Sequence, residues 1–267
     1  MGIRTLLGLR RPLAERMAEQ ATRQAQLETH RRLRQMLSSL RPLRAVGFDK
    51  IRVGRAHDGG YVMLDDFSGI GTAFSCGIGG DCSWDSMIAG RGIPVHQFDH
   101  TVEGSPQPDP LFTFHKLAVA GQSGDGRITI PQIASMAGSQ RSILKLDIEG
   151  HEWPALMDMK KADLSPFAQI VVEFHRLRYA DRTNALERYE KTLRNLAEGF
   201  QCVHVHGNNA APYVVLCNIP LPDVLEVTFA SRARYRFAET DEIFPTPLDM
   251  PNKKEYPDLC LGSFKFG

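Results

Sequence analysis

The sequence predicts an α/β protein: a doubly wound sheet of seven strands with a helical extension at its N-terminus. Three observations lead there. Short apolar runs alternate with helical stretches from about residue 70 to residue 230, the pattern of a parallel sheet with crossover helices. One run, Ala73-Phe74-Ser75-Cys76, breaks at Gly77-Ile78-Gly79-Gly80, where a backbone without Cβ atoms can turn tightly against a ligand. Another, Ile93 to Phe98, ends on Asp99, about 20 residues beyond the glycines, the spacing at which a strand-end carboxylate meets ribose hydroxyls.

The elements follow in order. Residues 1–45 hold ten arginines against three glutamates, a charge of +7 against −6 for the rest of the chain. From Pro12 to Leu40 the composition favours helix, with Leu13, Met17, Leu27, Leu33, Met36, Leu37 and Leu40 as packing positions, and Pro42 ends it. A basic helix of this kind packs on the main domain, residues 46–267, or on a second subunit as a homo-oligomer. It can equally meet a partner enzyme or lie peripherally on an anionic membrane surface.

Phe74 marks the first strand and Phe98 the second; Phe112 to Val119 reads as the third, Ile143 to Leu146 as the fourth and Ala168 to Phe174 as the fifth. Gln201 to His206 and Val224 to Phe229 are the sixth and seventh, joined through Tyr213 to Leu216 and a Pro220 to Pro222 turn. Helices are expected over Ser83 to Gly90, Ile130 to Met136 and Glu152 to Met159, the last limited by Pro154 to a helix start or a turn. Leu186 to Glu198 is a longer helix stopped by Gly199.

Composition narrows the setting. The 267 residues, 42% hydrophobic, suffice for a full core, and a net charge of +1 gives no general affinity for nucleic acid. Five cysteines without metal-ligand spacing fit a reduced, cytoplasmic protein, and no run of about 18 apolar residues or apolar signal core is present.

The glycine turn also restricts the ligand. A dinucleotide fingerprint would place a third glycine where Cys82 stands, and no Gly-Lys-Ser/Thr of a phosphate loop follows. An adenosine ligand with no phosphate demand remains, and S-adenosylmethionine is the common one. A second signal is Ser142-Ile143 followed by Leu144-Lys145-Leu146-Asp147-Ile148-Glu149-Gly150-His151-Glu152, an apolar strand ending in carboxylates and an imidazole. With the glycine turn and Asp99 it resembles the class I S-adenosylmethionine-dependent methyltransferases, most specifically the FkbM-type family, whose signature looks like Leu-Lys-x-Asp-x-Glu-Gly-His-Glu. A weaker likeness runs from about Gly54 to Arg232, through Asp58-Gly59-Gly60-Tyr61 and Gly207-Asn208-Asn209.

The resemblance implies a Rossmann-like methyltransferase fold, mainly parallel with an antiparallel last strand. It implies S-adenosylmethionine held by Gly77, Gly79, Gly80, Asp99 and Asp147, and O-methyl transfer to a hydroxyl of a carbohydrate or glycan-like acceptor. In one place the chain departs from the pattern: Ser75-Cys76 replaces the acidic residue that usually ends the first strand. Asp81, Asp85 or Asp147 then has to hold the methionine amino group.

Glu173 and His175 end the fifth strand, beside the fourth. Asp147, Glu173 and His175 are therefore a candidate ligand set for Mg²⁺ or Mn²⁺, which would acidify an acceptor hydroxyl. Alternatively His175 or His151 takes the proton directly, and Glu149 either joins the site or pairs with Lys145 or His151. Tyr61, His206, Asn208 and Asn209 are candidates for holding the acceptor, while His204, one alternation away from His206, is structural. A different class, a metal-dependent hydrolase, would use Asp147, Glu149, His151, Glu173, His175 and His206; a noncatalytic scaffold would use none of them. Arg52 to Tyr61 folds over the cofactor or is a hairpin turning at Asp58-Gly59, and the proline-rich tail from Phe244 to Gly267 is a lid or a strap.

Overall fold

The computed structural model describes residues 13–266, so Pro12 and the basic residues before it, and Gly267, lie outside the described residues. Seven strands form one sheet: β1 Ile70–Cys76, β2 Val95–Phe98, β3 Phe112–His115, β4 Arg141–Leu146, β5 Phe167–Phe174, β6 Phe200–Gly207 and β7 Leu225–Ser231. They lie in the order β3-β2-β1-β4-β5-β7-β6. The strands from β1 to β5 are parallel, and β7 runs antiparallel between β5 and β6. This is a Rossmann-like, doubly wound and mainly parallel sheet with an antiparallel last strand, and an N-terminal helix is added.

The sheet is covered on both faces, which is why its central strands read as continuous apolar runs instead of alternating ones. All eight residues of β5 are buried. The covering helices are α1 Leu13–Ser38, α2 Ser83–Ala89, α3 Ile130–Met136, α4 Glu152–Leu156, α5 Lys161–Leu164 and α6 Thr183–Gly199. In α6, Leu186, Tyr189, Leu193 and Leu196 recur at three- and four-residue intervals and are all buried. Trp153 of α4 stacks on Tyr189 with ring centroids 3.9 Å apart.

Two expectations are corrected. The third strand stops at His115, where Leu117 N–H bonds back to the His115 carbonyl at 2.8 Å and turns the chain out of the sheet; Ala118–Val119 then pairs with Arg127–Ile128. The packing stripe of α1 is also shorter than expected. Leu33, Met36, Leu37 and the following Leu40 are buried in the main core, and Arg32 donates two hydrogen bonds to Glu190 of α6, at 3.0 and 2.7 Å. Residues 13–28 are exposed on every face of the helix, so Leu13, Met17 and Leu27, 55–72% exposed, lie before the packed stretch begins.

A hairpin, Lys50–Val53 with Tyr61–Leu64, packs beside β5 and β7, so the segment around Asp58-Gly59 is the loop of a hairpin. The tail from Phe244 is a strap. Asn209 donates to the carbonyls of Lys253, Tyr256 and Pro257, and His204 pairs with Asp249 at 2.8 Å, fixing the tail across the ends of β6 and β7. No described helix is long and apolar enough to cross a membrane.

Urea unfolding checks the two parts of α1. Leu37→Ala empties a fully buried position and should cost about 3 kcal/mol. Leu27→Ala should stay within about 0.5 kcal/mol of the parent; equal losses at both sites would contradict this packing.

Candidate functional site

The strand order reverses between β1 and β4, and ligands in such sheets bind outside the C-terminal strand ends at that reversal. Here those ends touch. Asp147 N–H donates to the Cys76 carbonyl at 3.0 Å, and the buried Lys145 ammonium donates to the Gly77 carbonyl at 2.7 Å. Gly77 has φ +78°, and a Cβ there would fall on the Asp147 carbonyl oxygen, so only glycine lets the turn pass the end of β4.

Asp99 fixes the turn from the other side. One carboxylate oxygen accepts the N–H groups of Ile78 and Gly79 at 3.0 and 2.9 Å; the other accepts the N–H and hydroxyl of Thr101 at 2.7 and 2.6 Å. Burial acts to raise its pKa, but these donors outweigh it and hold the carboxyl below its ordinary value. The carboxylate expected to meet ribose hydroxyls is thus turned toward the backbone: Asp99 is 6% exposed, and its oxygens are engaged by the N–H groups of the turn and by Thr101.

A cavity of about 1260 Å³ opens over this turn. Gly77, Gly79, Gly80, Asp81, Asp99 and Asp147 line it, with Tyr61, Glu149 and His151 at the β4 side. Asp58 and Gly59 of the hairpin loop also line it, so that segment is a hairpin and a cavity wall at once. Of the acids available for the methionine amino group, Asp81 and Asp147 face the cavity. Asp85 does not: it is fully buried, accepting from Ser75 at 3.2 Å and Gln97 at 2.9 Å.

Behind Asp147 lies a buried polar cluster. The Tyr61 hydroxyl is shared between Asp147 at 2.9 Å and Glu173 at 3.1 Å, and Asn208 donates to the other Glu173 oxygen at 2.8 Å. Burial pushes the pKa of Glu173 well up, and the neighbouring Asp147 adds to this; burial also raises Asp147, against the pull of Lys145 and His175. His175 Nδ1 faces Glu152 Oε1 at 3.2 Å and the Glu173 carbonyl at 3.0 Å, while Nε2 faces Glu149 at 3.5 Å. Burial alone would lower its pKa, but Glu152, Glu173 and Asp147 together push it up to about 10. These acids favour the protonated ring when no ion is bound, which disfavours its expected role as the general base; a divalent ion at Nε2 would take the place of that proton.

The expected metal set is also rearranged. Asp147, Glu149 and His175 bring their ligand atoms within 4.8 Å of one another, whereas both Glu173 oxygens are occupied by Tyr61 and Asn208. Glu152 behind Nδ1 leaves Nε2 directed at Glu149, the arrangement in which a carboxylate orients a ligating imidazole, so these side chains fit a divalent ion.

The expected acceptor residues separate. Tyr61 lines the cavity; His206, Asn208 and Asn209 do not. His206 is buried between Glu226 at 2.9 Å and Asp258 at 3.0 Å, Asn208 serves Glu173, and Asn209 holds the tail. His206 is thus not brought together with Asp147, Glu149, His151, Glu173 and His175 as a hydrolase would require. Residues not expected from the sequence complete the walls: His100, Leu117 to Gln122, Arg127, Lys145 and Arg176. Only Lys145, a charge inside an apolar strand, carried a signal of it.

No protein-family model matches the chain, and no curated protein does. Among solved structures it is similar to a chain of the crystal structure of a fibrillarin/Nop5p complex, with a TM-score of 0.36 and 9% identity over 62% of this chain and 74% of that one.

Two measurements check the site. Gly77→Ala should cost more than about 3 kcal/mol by denaturant unfolding, whereas Gly80→Ala, with nothing within 4 Å of the added carbon, should cost under about 1 kcal/mol. For pH, burial would lower the His206 pKa, but Glu226 and Asp258 push it up to about 10. Its stabilisation is complete below the unfolded value of about 6.5 and is lost as pH rises to about 10. His206→Gln should make the fall in stability across that window shallower; an unchanged slope would show that the imidazole is not held as a cation.

Proposed function

We propose that the protein is an S-adenosylmethionine-dependent O-methyltransferase acting on a hydroxyl of a carbohydrate or glycan-like acceptor. The observation that carries the first half is the cavity at the β1/β4 reversal, floored by a glycine turn that Asp99 holds in place and open enough for a nucleoside and an acceptor together. The FkbM-type signature from Leu144 to Glu152 supports the second half.

In this reading the adenosine lies over Gly77 to Gly80, with Asp81 or Asp147 facing the methionine amino group. The acceptor oxygen attacks the methyl carbon in line with the methyl–sulfur bond, whose electron pair leaves with the sulfur. The hydroxyl proton passes to Asp147, a cavity-facing carboxylate whose raised pKa makes it a better base than an ordinary one. The Tyr61 hydroxyl, 2.9 Å away, holds Asp147 in place. The pairing of Asp147 and Glu149 with His175 Nε2 favours a divalent ion, Mg²⁺ or Mn²⁺, at the same edge. When bound, it would acidify an acceptor hydroxyl.

Calorimetry with S-adenosylhomocysteine, followed by transfer of labelled methyl to a panel of sugars, nucleotide sugars and lipid-linked glycans, tests the reading. Failure to bind the nucleoside removes it, and transfer only to amines removes the oxygen acceptor. Asp99→Ala should weaken S-adenosylhomocysteine binding about thirty-fold, an effect of about 2 kcal/mol, by freeing the turn. Asp147→Asn should reduce turnover about a hundred-fold or more while changing that affinity far less. Activity lost with EDTA and regained with Mg²⁺ or Mn²⁺ supports the ion; full activity after exhaustive chelation leaves deprotonation to Asp147 alone.

A further inference from the structure

We propose that the acceptor is phosphorylated and that a second cavity, lined by three arginines, holds its phosphoryl or diphosphoryl group; this rests on the methyltransferase reading. The cavity has a volume of about 430 Å³ and lies where β5 runs into α6. Its walls include Arg176, Arg182 and Arg188, the neutral donors Thr183 and Asn184, and no carboxylate.

Arg176, Arg182 and Arg188 are exposed residues that line the same groove, and none of them is paired with a carboxylate among the described residues. Arg176 donates to the Glu149 carbonyl at 3.1 Å, and Arg182 lies over the Tyr179 ring at 4.2 Å, a stacking that leaves its N–H edge outward. The neighbouring Arg178 shows the contrast: it is paired with Asp223 and does not line the cavity. Arg182 is also the N-cap of α6 and offers no side-chain acceptor to the helix; its carbonyl accepts the N–H groups of Ala185 and Leu186, so those of Thr183 and Asn184 add donors on the same wall. Three fork-shaped cations match a phosphoryl or diphosphoryl group; a single carboxylate needs only one such fork.

Position assigns this anion to the acceptor. The cofactor turn follows β1, whereas Arg176 follows β5, two strands or about 10 Å across the sheet. S-adenosylmethionine carries no phosphate. Arg176 lines both cavities, so a molecule with its hydroxyl at Asp147 and its phosphate among Arg176, Arg182 and Arg188 spans the shared wall.

The experiment titrates the full-length protein with inorganic pyrophosphate at constant ionic strength, with S-adenosylhomocysteine titrated separately. Saturable pyrophosphate binding is expected, weakened about tenfold or more in each of Arg182→Ala and Arg188→Ala, with S-adenosylhomocysteine affinity and thermal unfolding unchanged. Glucose 1-phosphate should compete with pyrophosphate, and glucose should not. Absence of pyrophosphate binding by the folded parent, or binding unaltered in both variants, overturns the site. Pyrophosphate binding that glucose 1-phosphate does not displace assigns the cavity to free phosphate and overturns its role in the acceptor. Loss of S-adenosylhomocysteine binding in the parent instead removes the methyltransferase reading and leaves the pyrophosphate result to stand or fall separately.

Discussion

The close approach of two backbone segments, the turn at Gly77 and the end of β4 at Asp147, sets the geometry on which the rest of the site depends. β1 and β4 are hydrogen-bonded neighbours, and the connections to β2 and β5 leave them in opposite directions across the sheet. A crevice therefore has to open between their ends, and its floor is whatever backbone can pass there without a side chain. Because Gly77 passes against the Asp147 carbonyl, the same contact that forms the floor fixes where the Asp147 carboxyl projects. Asp99 and Lys145 then secure the turn through its N–H groups and its carbonyl, so both polarities of that backbone are satisfied inside the protein.

Concentrating acids beside that floor carries an electrostatic cost, and the structure meets it in two ways. Asp147 and Glu173 are close enough to share the Tyr61 hydroxyl, and burial and mutual repulsion favour a proton on Glu173. A cation answers the remaining charge: His175 is held by Glu152, whose same oxygen also accepts the N–H groups of Ile148 and Gly150. Glu152 thereby couples the loop after β4 to the imidazole after β5. The run Asp147 to Glu152 is consequently one structural unit, with Asp147 and Glu149 facing the cavity and Glu152 turned inward.

This also explains what was legible in the sequence. Ile130 to Met136 is helical over the span its pattern indicates, and the other central elements agree within a few residues, because apolar periodicity and glycine stops reflect burial in this fold. Residue types at strand ends showed that Asp147, Glu173 and His175 meet. They did not show that Asp99 turns toward the backbone, since that depends on N–H groups left unpaired by the turn. Nor did the sequence around β6 reveal that His206 and Asn209 are buried: the covering comes from the tail, about 50 residues later in the chain. Arg176, Arg182 and Arg188 read as ordinary surface charge until the junction of β5 and α6 places them around one space.

The tail explains why a strand-end prediction fails at one edge of the sheet and holds at the other. Asn252 of the strap donates to Glu226 on β7 at 2.7 Å and to Asp58 of the hairpin loop at 3.2 Å. His57 of that loop contacts the Pro251 carbonyl at 2.8 Å through Nδ1, and Asp58 itself lines the cavity. The strap therefore covers β6 and β7 and steadies the wall facing β1, so the open part of the crevice is confined to the ends of β1, β2, β4 and β5. A ligand entering there meets the glycine turn on one side and arginine-bearing chain on the other, with Asp147 between them. Under the proposed function, that ordering would let one crevice hold a cofactor and an acceptor at the same time without either crossing the other's contacts.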